Sequence, residues 1–176
     1  MVLPRHVAAR FLALLLVLAA AAPSQAVDDP SGDWLVAKRY AIIRIANCGG
    51  QIWGIVSWAL RPELDKNNPD PSKRSRPTLG MPVILGMTMS KPQEWSGEIY
   101  NSRDGRTYDA SISLSKPDVL HVEGCVLGVL CGGEDWTRVT RSTTGAPMDS
   151  PNAGLSSPET PEAICTRLTS AAGNAH

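Results

Sequence analysis

The sequence predicts an all-β fold, a single antiparallel domain of eight strands, and three observations carry that expectation. Eight short apolar or alternating runs follow one another over residues 32–141, roughly 8–16 residues apart, with turn residues between them. Residues 93–114, QEWSGEIYNSRDGRTYDASISL, hold two alternating runs around Asp104-Gly105, a strong short-range hairpin signal. After residue 26 no amphipathic helix of normal length is evident. The spacing admits a sandwich or a barrel. Closure removes exposed edges, and eight strands enclose room for side chains or one small ligand.

Taken in order, the chain opens on a basic and then apolar leader. Arg5, His6 and Arg10 precede the apolar residues 11–22, and Ser24-Gln25-Ala26 puts small residues at positions −3 and −1 of a cleavage site after Ala26. An apolar core of 12 residues falls short of the roughly 20 that span a bilayer, so a cleaved signal peptide is expected rather than an uncleaved anchor. No Cys follows the site to support lipoprotein processing. The mature chain is thus expected to be periplasmic or secreted, monomeric and without a transmembrane segment. Removing Arg5 and Arg10 leaves 15 basic residues against 17 acidic ones, and no basic stripe argues for nucleic acid as partner.

The first strand reads as residues 32–36, GDWLV, and the second as residues 40–46, YAIIRIA, which stop at Cys48-Gly49-Gly50. Residues 51–60, QIWGIVSWAL, form the third, with Ile52, Gly54, Val56 and Trp58 on one face. A polar loop covers residues 61–78. The fourth strand, residues 80–89, sets Met81, Val83, Leu85, Met87 and Met89 on one side of the pleat. In the hairpin, a loop of two or four residues places Trp95, Gly97, Ile99 and Asn101 on one face with Tyr108, Ala110, Ile112 and Leu114. Ser96, Glu98, Tyr100, Thr107, Asp109, Ser111 and Ser113 then take the wet face. Residues 118–124 turn Leu120 and Val122 inward, and residues 134–141, EDWTRVTR, close the set. The barrel domain is therefore assigned to residues 31–142. Residues 143–176 are read as a flexible Pro/Ser-rich tail, with a turn of helix over residues 163–168 pinned by Cys165.

Four Cys in an exported chain favour disulfides over metal or redox chemistry, and neither CxxC nor a Cys/His cluster supports zinc. Three pairings satisfy the count. We favour Cys125–Cys131 around Gly128, with Cys48–Cys165 tying the tail to the barrel.

The ordered set GDW, CGG-x-x-x-G-x-x-x-W, LDKNNPD with a following R-S-R, LGMPVILGM, W-x-G-x-I-Y-N-x-x-D-G-x-T-Y and GC-x-L-G-x-L-C-G-G-x-x-W-T-R resembles the exported bacterial proteins grouped as domain of unknown function 2147. The resemblance covers about residues 31–141. It implies a lipocalin-like, eight-stranded β-barrel and no established activity. In many relatives a second Cys stands where this chain has Trp53, which argues against a disulfide across the Cys48 turn. Gly32-x-Trp34 resembles the GxW of the first lipocalin strand, whose Trp seals one barrel end beneath an Arg of the last strand. Arg138 is the residue placed for that role.

Candidate chemistry is sparse. His121 is the one His inside the domain and alternates outward, with no nucleophile signature beside it. Glu98 and Asp109 share the wet hairpin face, where paired carboxylates serve glycosidases but far more often solubility. In the polar loop, which also holds Asn68, the residues Asp65, Asn67 and Asp70 offer oxygen atoms of the kind calcium takes. Their spacing departs from the EF-hand, and turn-building with Arg74 or Arg76 as partners is the preferred reading, ahead of calcium or a binding loop at the barrel mouth. Met81, Val83, Leu85, Met87 and Met89, with Trp53, Trp58 and Ile99, form the candidate ligand surface, the alternative being ordinary core. The expected function is a cofactor-free and metal-free binding protein for a small apolar or amphipathic ligand. A protein-binding or inhibitor module of the envelope, acting through residues 61–78, is the alternative, and a hydrolase ranks last.

Overall fold

The computed structural model describes residues 29–139, 157 and 159–173. The signal peptide and cleavage site expected within residues 1–26 lie outside the described residues, as do residues 143–156 of the expected tail. Eight strands pair antiparallel, each with the next: β1 (Gly32–Leu35), β2 (Ala41–Cys48), β3 (Gln51–Ala59), β4 (Pro82–Lys91), β5 (Glu94–Asn101), β6 (Arg106–Lys116), β7 (Val119–Val126) and β8 (Leu130–Arg138). β8 returns to β1, with Trp34 opposite Arg138, and the sheet is a closed barrel.

β5 and β6 take the register that their alternation dictates. Trp95 faces Ile112, Gly97 faces Ala110, Ile99 faces Tyr108 and Asn101 faces Arg106, which leaves residues 102–105 as the loop. Because every strand turns back onto its neighbour, the turns alternate between two ends. The β2–β3, β4–β5 and β6–β7 turns gather at one end with the start of β1. The β1–β2 turn, the long β3–β4 loop and the β5–β6 and β7–β8 turns ring the other.

Irregularities in β3 and β4 override simple alternation. Ile42 faces Trp58 but Ile43 faces Val56, so β3 carries one extra residue there. A bulge of this kind flips every later side chain to the opposite face. Trp58 is accordingly not beside Ile52, Gly54 and Val56. It is buried outside the barrel against Leu35, Ile42 and Val139. In β4 the register shifts against both β3 and β5, and Gly86 takes a φ of 55°. Val83 and Ile84 are consecutive yet both belong to the core, Leu85 is half-buried against it, and Met89 is 49% exposed. The expected five-residue stripe thus does not exist as one face.

The tail reading also needs correction. Residues 163–168 lie within a longer helix, α1 (Pro161–Gly173), seated on the outer faces of β2 and β3. Thr160 caps it: its Oγ1 accepts from the Ala163 N–H at 3.3 Å and its carbonyl from Ile164 at 3.0 Å. Pro161 follows, where a missing N–H costs nothing. Ile164 and Leu168, one turn apart, bury against Ala46 and Ile55. Burying two such side chains stabilises the docked helix by about 3–6 kcal/mol. The Cys48–Cys165 disulfide fixes α1 covalently to the end of β2. Arg44 reinforces the seat, binding Asp33 at 2.8 Å and the Glu159 carbonyl at 2.6 Å. Arg167 binds the Glu159 carboxylate at 2.7 Å and the Gly80 carbonyl at 3.0 Å.

Candidate functional site

The barrel is filled at one end and hollow at the other. At the filled end Trp34, Ile45, Ile52, Ile84, Met87, Ile112 and Leu120 are fully buried. Arg138 covers Trp34 with its guanidinium 4.2 Å from the ring centroid. Every nitrogen of that guanidinium binds a backbone carbonyl: Nε that of Pro117 at 2.7 Å, Nη1 that of Ser31 at 2.6 Å and Nη2 that of Asp29 at 3.3 Å. The Trp34 Nε1–H donates to the Pro30 carbonyl at 2.8 Å. Gly32 is required beneath the guanidinium: its φ is 129°, and a Cβ there would stand 2.8 Å from Nη1. The end is a plug, held by stacking worth about 0.5–2 kcal/mol and by satisfied polar atoms.

The other end opens into a cavity of about 490 Å³. Its walls are Ile43 of β2, Val56 of β3, Met81 and Val83 at the start of β4, Ile99 of β5, Tyr108 of β6, Val122 of β7 and Trp136 of β8. The space exists because two inward positions on adjacent strands carry no side chain. Gly124 and Gly132 face each other at the mouth of β7 and β8, while Leu120 faces the buried Trp136 deeper down. A Cβ on Gly132 would meet nothing within 4 Å. The one carboxylate in the lining is Glu134, whose Oε1 accepts from the Trp136 Nε1–H at 2.7 Å.

At the rim the Arg103 guanidinium lies 4.4 Å from the centroid of the Tyr40 ring, bridging the β5–β6 and β1–β2 turns. A second hollow of about 350 Å³, lined by Leu60, Arg61, Glu63 and Thr78, shares Tyr40 and Arg103 with the first. Ala41, Val56 and Ser102 also border both hollows. The Tyr108 hydroxyl donates a short hydrogen bond to Asp104, which raises its pKa above the usual tyrosine range.

Residues 61–78 are clamped over this end rather than left free. Asp65 is fully buried and accepts from the Tyr100 hydroxyl at 2.7 Å, Asn68 Nδ2 at 2.7 Å and Arg76 Nε at 2.9 Å. Burial alone would raise the Asp65 carboxyl. Those three bonds and the Arg76 charge outweigh it and hold the group below the ordinary aspartate range. Tyr100, expected on the wet face, is instead buried beneath this loop, and burial followed by the Asp65 carboxylate pushes its hydroxyl up. Asn67 Nδ2 donates to the Arg103 carbonyl at 2.8 Å, and its own carbonyl sits where a Cβ on Gly105 would be only 1.8 Å away. Asp70 binds Ser72 and Lys73, and the Arg74 Nε donates to the Asn68 carbonyl at 2.8 Å. Asp65, Asn67, Asn68, Asp70, Arg74 and Arg76 are thus engaged in building the loop.

The family model of an uncharacterized protein conserved in bacteria, domain of unknown function 2147, matches residues 32–138. The chain belongs to this family. Among solved structures, a protein from the human pathogen Helicobacter pylori that belongs to the lipocalin family superposes with a TM-score of 0.58 at 17% identity. The match covers 64% of this chain and 84% of that one, and it shows a lipocalin-like fold. No curated protein matches the sequence.

In this member of the 2147 family, the residues picked from sequence divide cleanly. Met81, Val83 and Ile99 line the cavity, whereas Met87 belongs to the filled end. Trp53 is half-buried outside the barrel, packed with α1, Cys48 and Cys165, and its Nε1 is buried without a partner. Tyr40, Arg103, Tyr108, Glu134 and Trp136 are part of the lining without belonging to the candidate surface read from the sequence. A strand phase anchored on Trp136 would have turned Gly132 and Glu134 inward with it. Glu98 and Asp109 face each other, both exposed. His121 lies outside the barrel, with Nδ1 2.7 Å from Asp135. Ser113 is its register partner on β6, but among the described residues no hydrogen bond joins them, and the His121 Nε2 is turned towards Gly133. Both disulfides, Cys48–Cys165 and Cys125–Cys131, are formed.

Proposed function

We propose that this protein is an exported binding protein whose barrel mouth takes one small amphipathic molecule. The carrying observation is the cavity of about 490 Å³ that Gly124 and Gly132 open in an otherwise filled barrel. Its size falls within the roughly 300–1,000 Å³ of small-molecule sites, and an apolar wall with a few convergent polar groups is their usual chemistry. An apolar body would lie against Ile43, Val56, Met81, Val83 and Trp136, with a hydrogen-bond donor directed at Glu134 and a polar group at the Arg103–Tyr40 rim. The lipocalin-like fold supports binding over catalysis, and two disulfides suit an oxidising compartment outside the cytosol.

Native mass spectrometry of the protein exported by its host tests this directly. A bound mass is expected on the native chain and absent from Gly132→Leu, whose Cβ would meet nothing within 4 Å and whose longer side chain would occupy the mouth. Ligand-free spectra for both proteins, with no response of Trp136 fluorescence to amphipathic probes, would overturn the reading.

A further inference from the structure

The β7–β8 hairpin carries a surface that neither the fold nor the cavity uses. At its tip Val126, Leu127, Val129 and Leu130 are 41%, 89%, 77% and 71% exposed, four apolar side chains around Gly128. Soluble proteins seldom leave such a run in water without a partner for it. The tip is also preorganised. Cys125 and Cys131 face each other at its base and are bonded, and the Val129 N–H closes the turn on the Val126 carbonyl at 3.2 Å. Leu127 and Gly128 both have positive φ, 53° and 69°, so a Leu is held in a backbone region that Gly would occupy more easily.

Its neighbours suggest what covers it. Around the mouth the tip stands between the β1–β2 turn, with Lys38 and Arg39, and the β5–β6 turn, with Arg103 and Arg106. All four basic side chains belong to exposed residues. The single acid on these two turns, Asp104, is occupied by the Tyr108 hydroxyl and the Arg106 N–H. An apolar finger flanked by cations matches an anionic lipid surface, where acyl boundary and headgroups lie a few ångströms apart.

We infer that the β7–β8 tip is a membrane-docking finger that inserts into an anionic bilayer interface and turns the barrel mouth towards the lipid. This goes beyond ligand binding and does not depend on it. The test is co-sedimentation of the full mature chain with vesicles of phosphatidylethanolamine and phosphatidylglycerol, compared with phosphatidylcholine alone. Binding to the anionic vesicles is expected, weaker at high salt and weaker on phosphatidylcholine. Leu127→Asp with Val129→Asp, both exposed and so tolerated by the fold, should lower that binding by more than about tenfold. Lys38→Glu with Arg106→Glu should abolish the preference for anionic lipid. Failure to bind anionic vesicles, or binding indifferent to the Leu127/Val129 change, would overturn the proposal. So would a wild-type dimer in sedimentation velocity that this change dissolves, because a second copy would then cover the tip.

Discussion

The two ends of the barrel are built from the same eight strands yet packed to opposite results. On β2, Ile45 is fully buried in the filled half, while Ile43, two residues nearer the mouth, is a wall of the cavity. On β7 the inward row runs Leu120, Val122, Gly124, and on β8 Trp136, Glu134, Gly132. Side-chain volume tapers towards the mouth on both strands, and the space follows from the taper. The filled end resolves every polar group around Trp34 and Arg138, whereas the mouth keeps Glu134 and the Arg103–Tyr40 pair beside open space. A barrel of this size therefore does not have to be either core or container, because the choice is made residue by residue along each strand.

Substitutions at matched positions can break that contrast. The largest effect belongs to the plug: Trp34→Ala should cost about 3–5 kcal/mol in urea unfolding, because it leaves a cavity and strips the Arg138 guanidinium of its ring. Next, Asp65→Asn should cost on the order of 3 kcal/mol by leaving Arg76 without its carboxylate. Its pH dependence has a definite sign. Asp65 titrates below the ordinary aspartate range in the folded protein, so its contribution is present above that range and lost as pH falls through the folded pKa. Wild type should lose stability below about pH 4 more steeply than Asp65→Asn does. The sharpest comparison pairs Ile45→Ala with Ile43→Ala. The first should cost about 2–5 kcal/mol and the second roughly 1–2 kcal/mol less, since the mouth is already hollow. Equal losses would mean that the mouth packs as tightly as the base. The smallest change is expected for Gly132→Leu, within about 1 kcal/mol of wild type in the same unfolding assay, since a strand Gly contributes no packing of its own.

What could be read from the chain beforehand was governed by regularity. Asp104-Gly105 with two alternating runs fixed the β5–β6 register, because a one-residue slip would have mixed apolar and polar faces. Gly32, Trp34 and Arg138 could be placed together because each has a distinct chemical part in one plug. The Met81–Met89 stripe failed where alternation is interrupted: the β4 register shifts and the bulge at Ile42/Ile43 are backbone events that a period of two conceals. Those shifts put Leu85 and Met89 away from the cavity, and the bulge did the same to Trp58. Of α1 the sequence yields only a turn over residues 163–168, although Thr160-Pro161-Glu162 is a start signal and Ile164 and Leu168 lie four apart. It follows a Pro/Ser-rich stretch, and its apolar stripe is only one side chain wide. The covering of Tyr100 by residues 61–78 depends on tertiary contacts with no local signature.

The Cys48–Cys165 disulfide joins positions 117 residues apart, across everything from the end of β2 to the middle of α1. A single protease cut anywhere between β8 and α1 would therefore release nothing. The two pieces would migrate as one on a gel without reductant and separate only with it. Residues 48–165 are closed into one covalent ring, and α1 stays with the barrel after the backbone leading to it has been severed.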